Sequence, residues 1–137
     1  MRVLVVDDDP VYREMLAALL EEWALDVTSV PDGTQAMKAL RESGEFSIAL
    51  LDWMMPGMDG YEVCSRLRGE KHLESLYVMI VTGNRQREDI LRVIVVGADD
   101  YLIKPFEPVD LKIRIRNAMR VLGLQEEIRS LKQLLPA

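Results

Sequence analysis

Five times along the chain a short, β-branched apolar run gives way to an amphipathic stretch, and that alternation leaves few folds open. Residues 2–6 form a continuous apolar run of the kind found in strands buried on both faces. Residues 27–30, 46–51, 76–81 and 101–103 read as further strands. Between them, Val11, Met15, Leu19 and Trp23, with Leu16 and Leu20 beside them, make a helical apolar stripe behind Asp9-Pro10, an N-cap followed by a first-turn proline. Ala36, Met37, Ala39 and Leu40 predict a second helix ending near Gly44. Val63, Cys64 and Leu67 mark a third helix opened by Asp59 or Gly60; residues 89–96 form a fourth, closed by Gly97. From Pro108 the chain turns helical again. The expected architecture is α/β, a doubly wound five-stranded parallel sheet in the order 2-1-3-4-5, with helices on both faces and an extended C-terminal helix.

A length of 137 residues supports one compact domain. We divide it into a globular part, residues 1–120, and a C-terminal helical extension or coiled-coil linker, residues 121–137. Lys and Arg number 17 against 23 Asp and Glu, a net charge of −6, which disfavours direct nucleic-acid binding. No apolar run approaches the ~20 residues of a membrane span, and the N-terminus turns acidic too soon for a signal peptide. A single cysteine, Cys64, fits a reducing cytoplasmic setting.

The chemistry gathers where strands end. The first run stops at Asp7-Asp8-Asp9, the third at Asp52, the fourth at Thr82 and the fifth at Lys104. All strand C-termini of an open parallel sheet lie on one edge, and ligands bind there at the reversal of strand order. The first and third strands are then neighbours, roughly 4.8 Å apart, so Asp7, Asp8 and Asp52 converge on one crevice. Crowded carboxylates call for raised pKa values or a hard cation, and a few carboxylates with open positions suit Mg²⁺. Lys104 and Thr82 then hold phosphoryl oxygens while Asp52 acts as nucleophile and becomes an acyl phosphate. Taken alone, Asp9 and Asp59 are simple helix caps.

The motifs VLVVDDDP, ALLDWMMPGMDGYE, MIVTG and GADDYLIKPF, in this order, resemble those of response-regulator receiver domains of two-component signalling, over about residues 2–120. The resemblance implies Asp52 as phospho-acceptor, Asp8 as a direct Mg²⁺ ligand, Asp7 as a largely water-mediated one, and the Met54 backbone carbonyl as a further ligand. It implies that Thr82 and Lys104 contact the phosphoryl group, that Tyr101 is a switch aromatic turning inward as Thr82 moves, and that the Lys104–Pro105 peptide is cis. The phosphoryl donor is then a sensor histidine kinase or phosphotransfer protein, and dimerisation or output is switched through the helix 4–strand 5–helix 5 face, here Ile90, Ile94 and Tyr101. Met54 follows Asp52 by two residues; its thioether orients an attacking water poorly, so the phosphorylated form is not specially short-lived.

Other features are weaker. His72, in a polar loop, is a solvated side chain rather than a relay histidine. Cys64 reads as core packing. Trp53 is expected to be partly exposed at the mouth of the site. The helix before Gly97 carries more apolar residues than one buried stripe needs, which points to a partner patch and a homodimer. Leu124, Ile128, Leu131 and Leu135 continue a coiled-coil-like seam, with Gly123 as a weak point, and the expectation is a linker toward a C-terminal output domain outside the chain. Two rival readings share these residues: a Mg²⁺-dependent aspartate-nucleophile phosphohydrolase, which ordinarily carries a second acid where Met54 stands, and a dimerisation module indifferent to phosphate.

Overall fold

A computed structural model describes residues 1–43, 45–83 and 85–136. Five strands, β1 (Arg2–Val6), β2 (Asp26–Val30), β3 (Phe46–Leu51), β4 (Tyr77–Thr82) and β5 (Asp100–Ile103), alternate with helices α1 (Pro10–Glu22), α2 (Gly33–Ser43), α3 (Gly60–Arg68), α4 (Arg87–Val96) and α5 (Pro108–Gln133). The sheet is parallel throughout in the order β2-β1-β3-β4-β5, as the strand pattern requires. The expected end of α2 near Gly44 lies outside the described residues.

Alternation along each strand divides the core. Leu4, Val6, Ala49, Leu51, Val78 and Ile80 face α2, α3 and α4, meeting Met37, Leu40, Cys64, Leu67 and Val93. Val3, Val5, Ile48, Leu50, Met79 and Val81 face α1 and α5, meeting Leu16, Leu20, Leu111 and Ile115. The period-2 alternation of strand side chains thus sends successive residues to opposite helical layers. Asp9 caps α1 by accepting from the Val11 amide at 2.9 Å, and Asp59 caps α3 from the Glu62 amide at 2.9 Å. Gly97 ends α4 in the left-handed region, φ +104°, where a side chain is strained.

Two packing expectations are corrected. The buried stripe of α1 is Leu16 and Leu20, with Leu19 and Trp23 half-buried; Val11 and Met15 are exposed. Each four-residue step from Trp23 back through Leu19 turns the side chain about 40° further round the helix, so Met15 and then Val11 leave the face that Leu16 and Leu20 present to the sheet. Trp53 is 4% exposed rather than partly open. Its ring meets Tyr61 edge-on at 5.7 Å and lies beneath the Arg92 guanidinium, 5.9 Å from the ring centroid. These two side chains close over the indole.

α5 is longer than the sheet it packs on, and Gly123 does not interrupt it. A Cβ at Gly123 meets nothing within 4 Å, so the residue weakens the helix without serving a close approach. No helix among the described residues is long and apolar enough to cross a membrane.

Candidate functional site

Backbone pairing extends past the strand ends and sets the site. The Asp7 amide donates to Val30 O (3.3 Å), the Asp52 amide to Val6 O (2.9 Å), and the Lys104 amide to Thr82 O (2.8 Å). Asp7, Asp52 and Lys104 are thereby each locked beside a neighbouring strand on the carboxyl edge of the sheet. Oxygen atoms of Asp7, Asp8 and Asp52 lie within 4.8 Å of one another. Asp7 and Asp52 are buried, whereas Asp8 is exposed.

Lys104 reaches into this cluster from just past the end of β5, and the Lys104–Pro105 peptide that follows is cis. Its Nζ donates to Asp7 Oδ2 at 2.7 Å and stands 3.6 Å from Asp52 Oδ2. The Asp9 amide donates to Asp7 Oδ1 at 2.9 Å, and the Met54 amide to Asp52 Oδ1 at 3.3 Å. Asp7 is therefore the better satisfied of the two buried acids. Burial pushes the Asp52 carboxyl up to about 6; the Lys104 ammonium pulls it back, while Asp7 and Asp8 push it further up.

Three carboxylates facing one ammonium carry excess negative charge. Their donors are all hard oxygens, and the Asp8 side is open to solvent. That donor set fits a small divalent cation such as Mg²⁺, which keeps waters and takes few protein ligands. Thr82 is buried on the neighbouring strand end, and a cavity of about 10 Å³ beside it is lined by Trp53, Asp89, Ile90, Val93 and Tyr101. Tyr101 is half-buried at this wall, and Met54 is exposed at the rim. On α4, Ile90 is half-buried toward the cavity, while Leu91, Ile94 and Val95 are exposed. His72 lies apart, exposed in a single 3₁₀ turn, and Cys64 is buried beneath α4.

Sequence reasoning overlooked three residues around the cluster. Arg13 Nη1 donates to the Asp7 carbonyl at 2.7 Å, a return that the fixed start of α1 at Pro10 makes readable. The Lys104 ammonium lies 4.2 Å from the Tyr12 ring centroid, and Tyr12 packs on Phe106 at 6.3 Å. That cation–π contact joins α1 to the loop after β5, and no local pattern announces it.

A family model described as the response regulator receiver domain matches residues 3–116. The chain is 40% identical over 119 residues to the DNA-binding response regulator MtrA of Mycolicibacterium smegmatis, covering 87% of this chain and 50% of that protein. It is 36% identical over 119 residues to the phosphate regulon transcriptional regulatory protein PhoB of Escherichia coli, covering 87% and 52%. The chain thus spans about half the length of these curated relatives. Among solved structures, a putative response regulator from Chloroflexus aurantiacus superposes with a TM-score of 0.82 at 30% identity, covering 87% of this chain and 97% of that one. Chemotaxis protein CheY4 of Vibrio cholerae gives 0.81 at 26% identity, covering 85% and 97%. The carboxyl-edge acids, the strand order and these matches agree: the chain belongs to the response regulator receiver domain family of two-component signalling.

Proposed function

We propose that Asp52 accepts a phosphoryl group from the phosphohistidine of a sensor histidine kinase or phosphotransfer protein, and that the resulting charge switches the partners of the α4–β5–α5 face. The observation that carries this reading is the meeting of Asp7, Asp8 and Asp52 with Lys104 at one strand edge. An Asp52 carboxylate oxygen attacks phosphorus. The O–P bond forms as the donor's P–N bond breaks, and the bonding pair returns to the imidazole. Asp7, Asp8, Asp52 and the Met54 backbone carbonyl are the groups that would hold Mg²⁺. When bound, the cation supplies neutralisation of the charge on the phosphoryl oxygens.

The remaining work falls to the chain itself. Lys104, already 3.6 Å from Asp52, needs only a small shift from Asp7 to meet a phosphoryl oxygen. The Thr82 hydroxyl is the group on β4 positioned to follow it, and Tyr101 borders the same cavity and moves toward the space Thr82 leaves. Leu91, Ile94 and Val95 give the face its apolar character. In the reading we favour, residues 1–120 are the switch and residues 121–137 a helical arm that carries its state to an output. By analogy with MtrA and PhoB, transcriptional control is the output class we assign to the whole protein.

A small phosphodonor with Mg²⁺ tests the chemistry by intact mass. Wild type gains one phosphoryl group and Asp52→Asn gains none; a gain in the variant, or its absence in wild type, overturns the assignment. Multiple-turnover release of phosphate from a phosphomonoester would favour a phosphohydrolase instead. Met54→Asn is expected to shorten the lifetime of the phosphorylated form, because an amide orients water where a thioether does not.

A further inference from the structure

The last turns of α5 carry an apolar stripe that the domain does not cover. Leu111, Ile115 and Ala118 are buried against the sheet, and Leu122 packs at the margin of the same core. Val121, Leu124, Ile128 and Leu131 follow at spacings of three, four and three, and Leu135 continues the series just past the helix end. All are exposed, from 37% at Val121 to 69% at Leu135. At about 100° per residue this second stripe points roughly 130° away from the first, out of the sheet's reach.

We propose that the stripe pairs with that of a second copy of this chain, parallel and in register, as a short two-stranded coiled coil. Val121 and Ile128 fall at a positions and Leu124 and Leu131 at d positions; β-branched residues at a with leucine at d favour two parallel strands. Charge supports the same occupant. Glu127 falls at g and Lys132 at the following e, so parallel pairing sets each Glu127 against Lys132 of the other copy, twice by symmetry. Glu126 and Arg129, on the outer face, already pair within one helix at 3.1 Å.

The preceding d and a positions are Asn117 and Arg114. Arg114 is engaged within the domain, donating to the Tyr101 carbonyl at 3.0 Å. Pairing therefore begins at Val121, and each globular part sits on the outer flank of its own helix. About two heptads are marginal alone, so the association is weak and reversible. It needs no phosphoryl group on Asp52 and stands apart from the preceding proposal.

Cysteine trapping in the full chain tests it. Under mild oxidation Leu131→Cys forms a covalent dimer at least tenfold faster than Glu126→Cys on the outer face. Added to Leu131→Cys, either Glu127→Lys or Lys132→Glu slows linking several-fold, and the double reversal restores it. The same pattern holds in an Asp52→Asn background, where the phospho-acceptor reading cannot contribute. Equal linking at positions 131 and 126, or a double reversal as slow as the single changes, overturns the proposal.

Discussion

Lys104 Nζ donates to Asp7 Oδ2 at 2.7 Å, although Asp52 lies within the same reach at 3.6 Å. The ammonium thus offsets the charge of Asp7, the more deeply buried acid, and leaves Asp52 under-compensated. A carboxylate in that condition has the most to gain from a cation arriving at its open side.

Lys104→Met keeps the apolar stem and removes the charge. Without metal, three carboxylates then share one crevice with no cation against Asp7, and the fold loses about 3 kcal/mol. Mg²⁺ returns much of this, and its affinity exceeds that for wild type because no ammonium competes. Urea unfolding with and without Mg²⁺, together with calorimetric titration, measures both effects. Weaker Mg²⁺ binding in the variant would contradict the account.

Asp52 gives stability a definite pH slope. Its carboxyl titrates near 6 in the fold, against an ordinary value of about 4 in the unfolded chain. Between these values the native state holds more protons than the unfolded state, so its contribution to stability falls as pH rises from about 4 to about 6 and stays low above. Asp52→Asn removes that slope. In metal-free buffer at pH 7.5 the variant should exceed wild type by on the order of 2–3 kcal/mol, with the gap closing toward pH 4 and shrinking when Mg²⁺ is added. Denaturant midpoints at the two pH values decide it.

Strand order and the meeting of Asp7, Asp8, Asp52 and Lys104 were legible because they follow from alternation along the chain and from where each strand stops. What escaped depends on side-chain packing between distant segments. Trp53 follows Asp52 out of β3, and Tyr61 and Arg92 on neighbouring helices help to bury it. The Tyr12 ring beside Lys104 is similar, since its contact is set by where the loop after β5 lands on α1. Val11 failed for a local reason: residues spaced by four drift about 40° per turn, so a run of such steps that begins on the buried face at Trp23 has left it by Val11.

Cys64 has no solvent exposure, and burial pushes its thiol up to about 11, with Arg68 only partly offsetting the effect. The folded protein therefore presents neither access nor thiolate. An aromatic disulfide reagent at pH 8 should label native protein at least about a thousandfold more slowly than urea-unfolded protein, at a rate that follows global opening. Raising the pH to 9 accelerates the unfolded reaction through its thiolate fraction, while native protein stays protected until it opens. Rapid native labelling would mean that α3 and α4 part locally around the thiol.

Gly60 opens α3 directly against the end of β3. A Cβ there would lie 2.5 Å from the Asp52 carbonyl oxygen and 2.9 Å from Trp53 Cα, distances that backbone cannot relax cheaply. Its amide also donates to the Trp53 carbonyl at 3.0 Å, fixing how closely the helix approaches the site. Gly60→Ala must push α3 and its Asp59 cap away from Asp52, at a cost of about 2–3 kcal/mol. Gly123→Ala is the matched control, because nothing lies within 4 Å of the added methyl and α5 gains helix propensity there. Thermal unfolding should therefore separate the two, with a lower midpoint for Gly60→Ala and an unchanged or higher one for Gly123→Ala. Mg²⁺ should stabilise Gly60→Ala less than wild type, since the displacement falls on the segment that carries Asp52 and Met54; equal stabilisation would show that α3 can move without disturbing the acidic cluster.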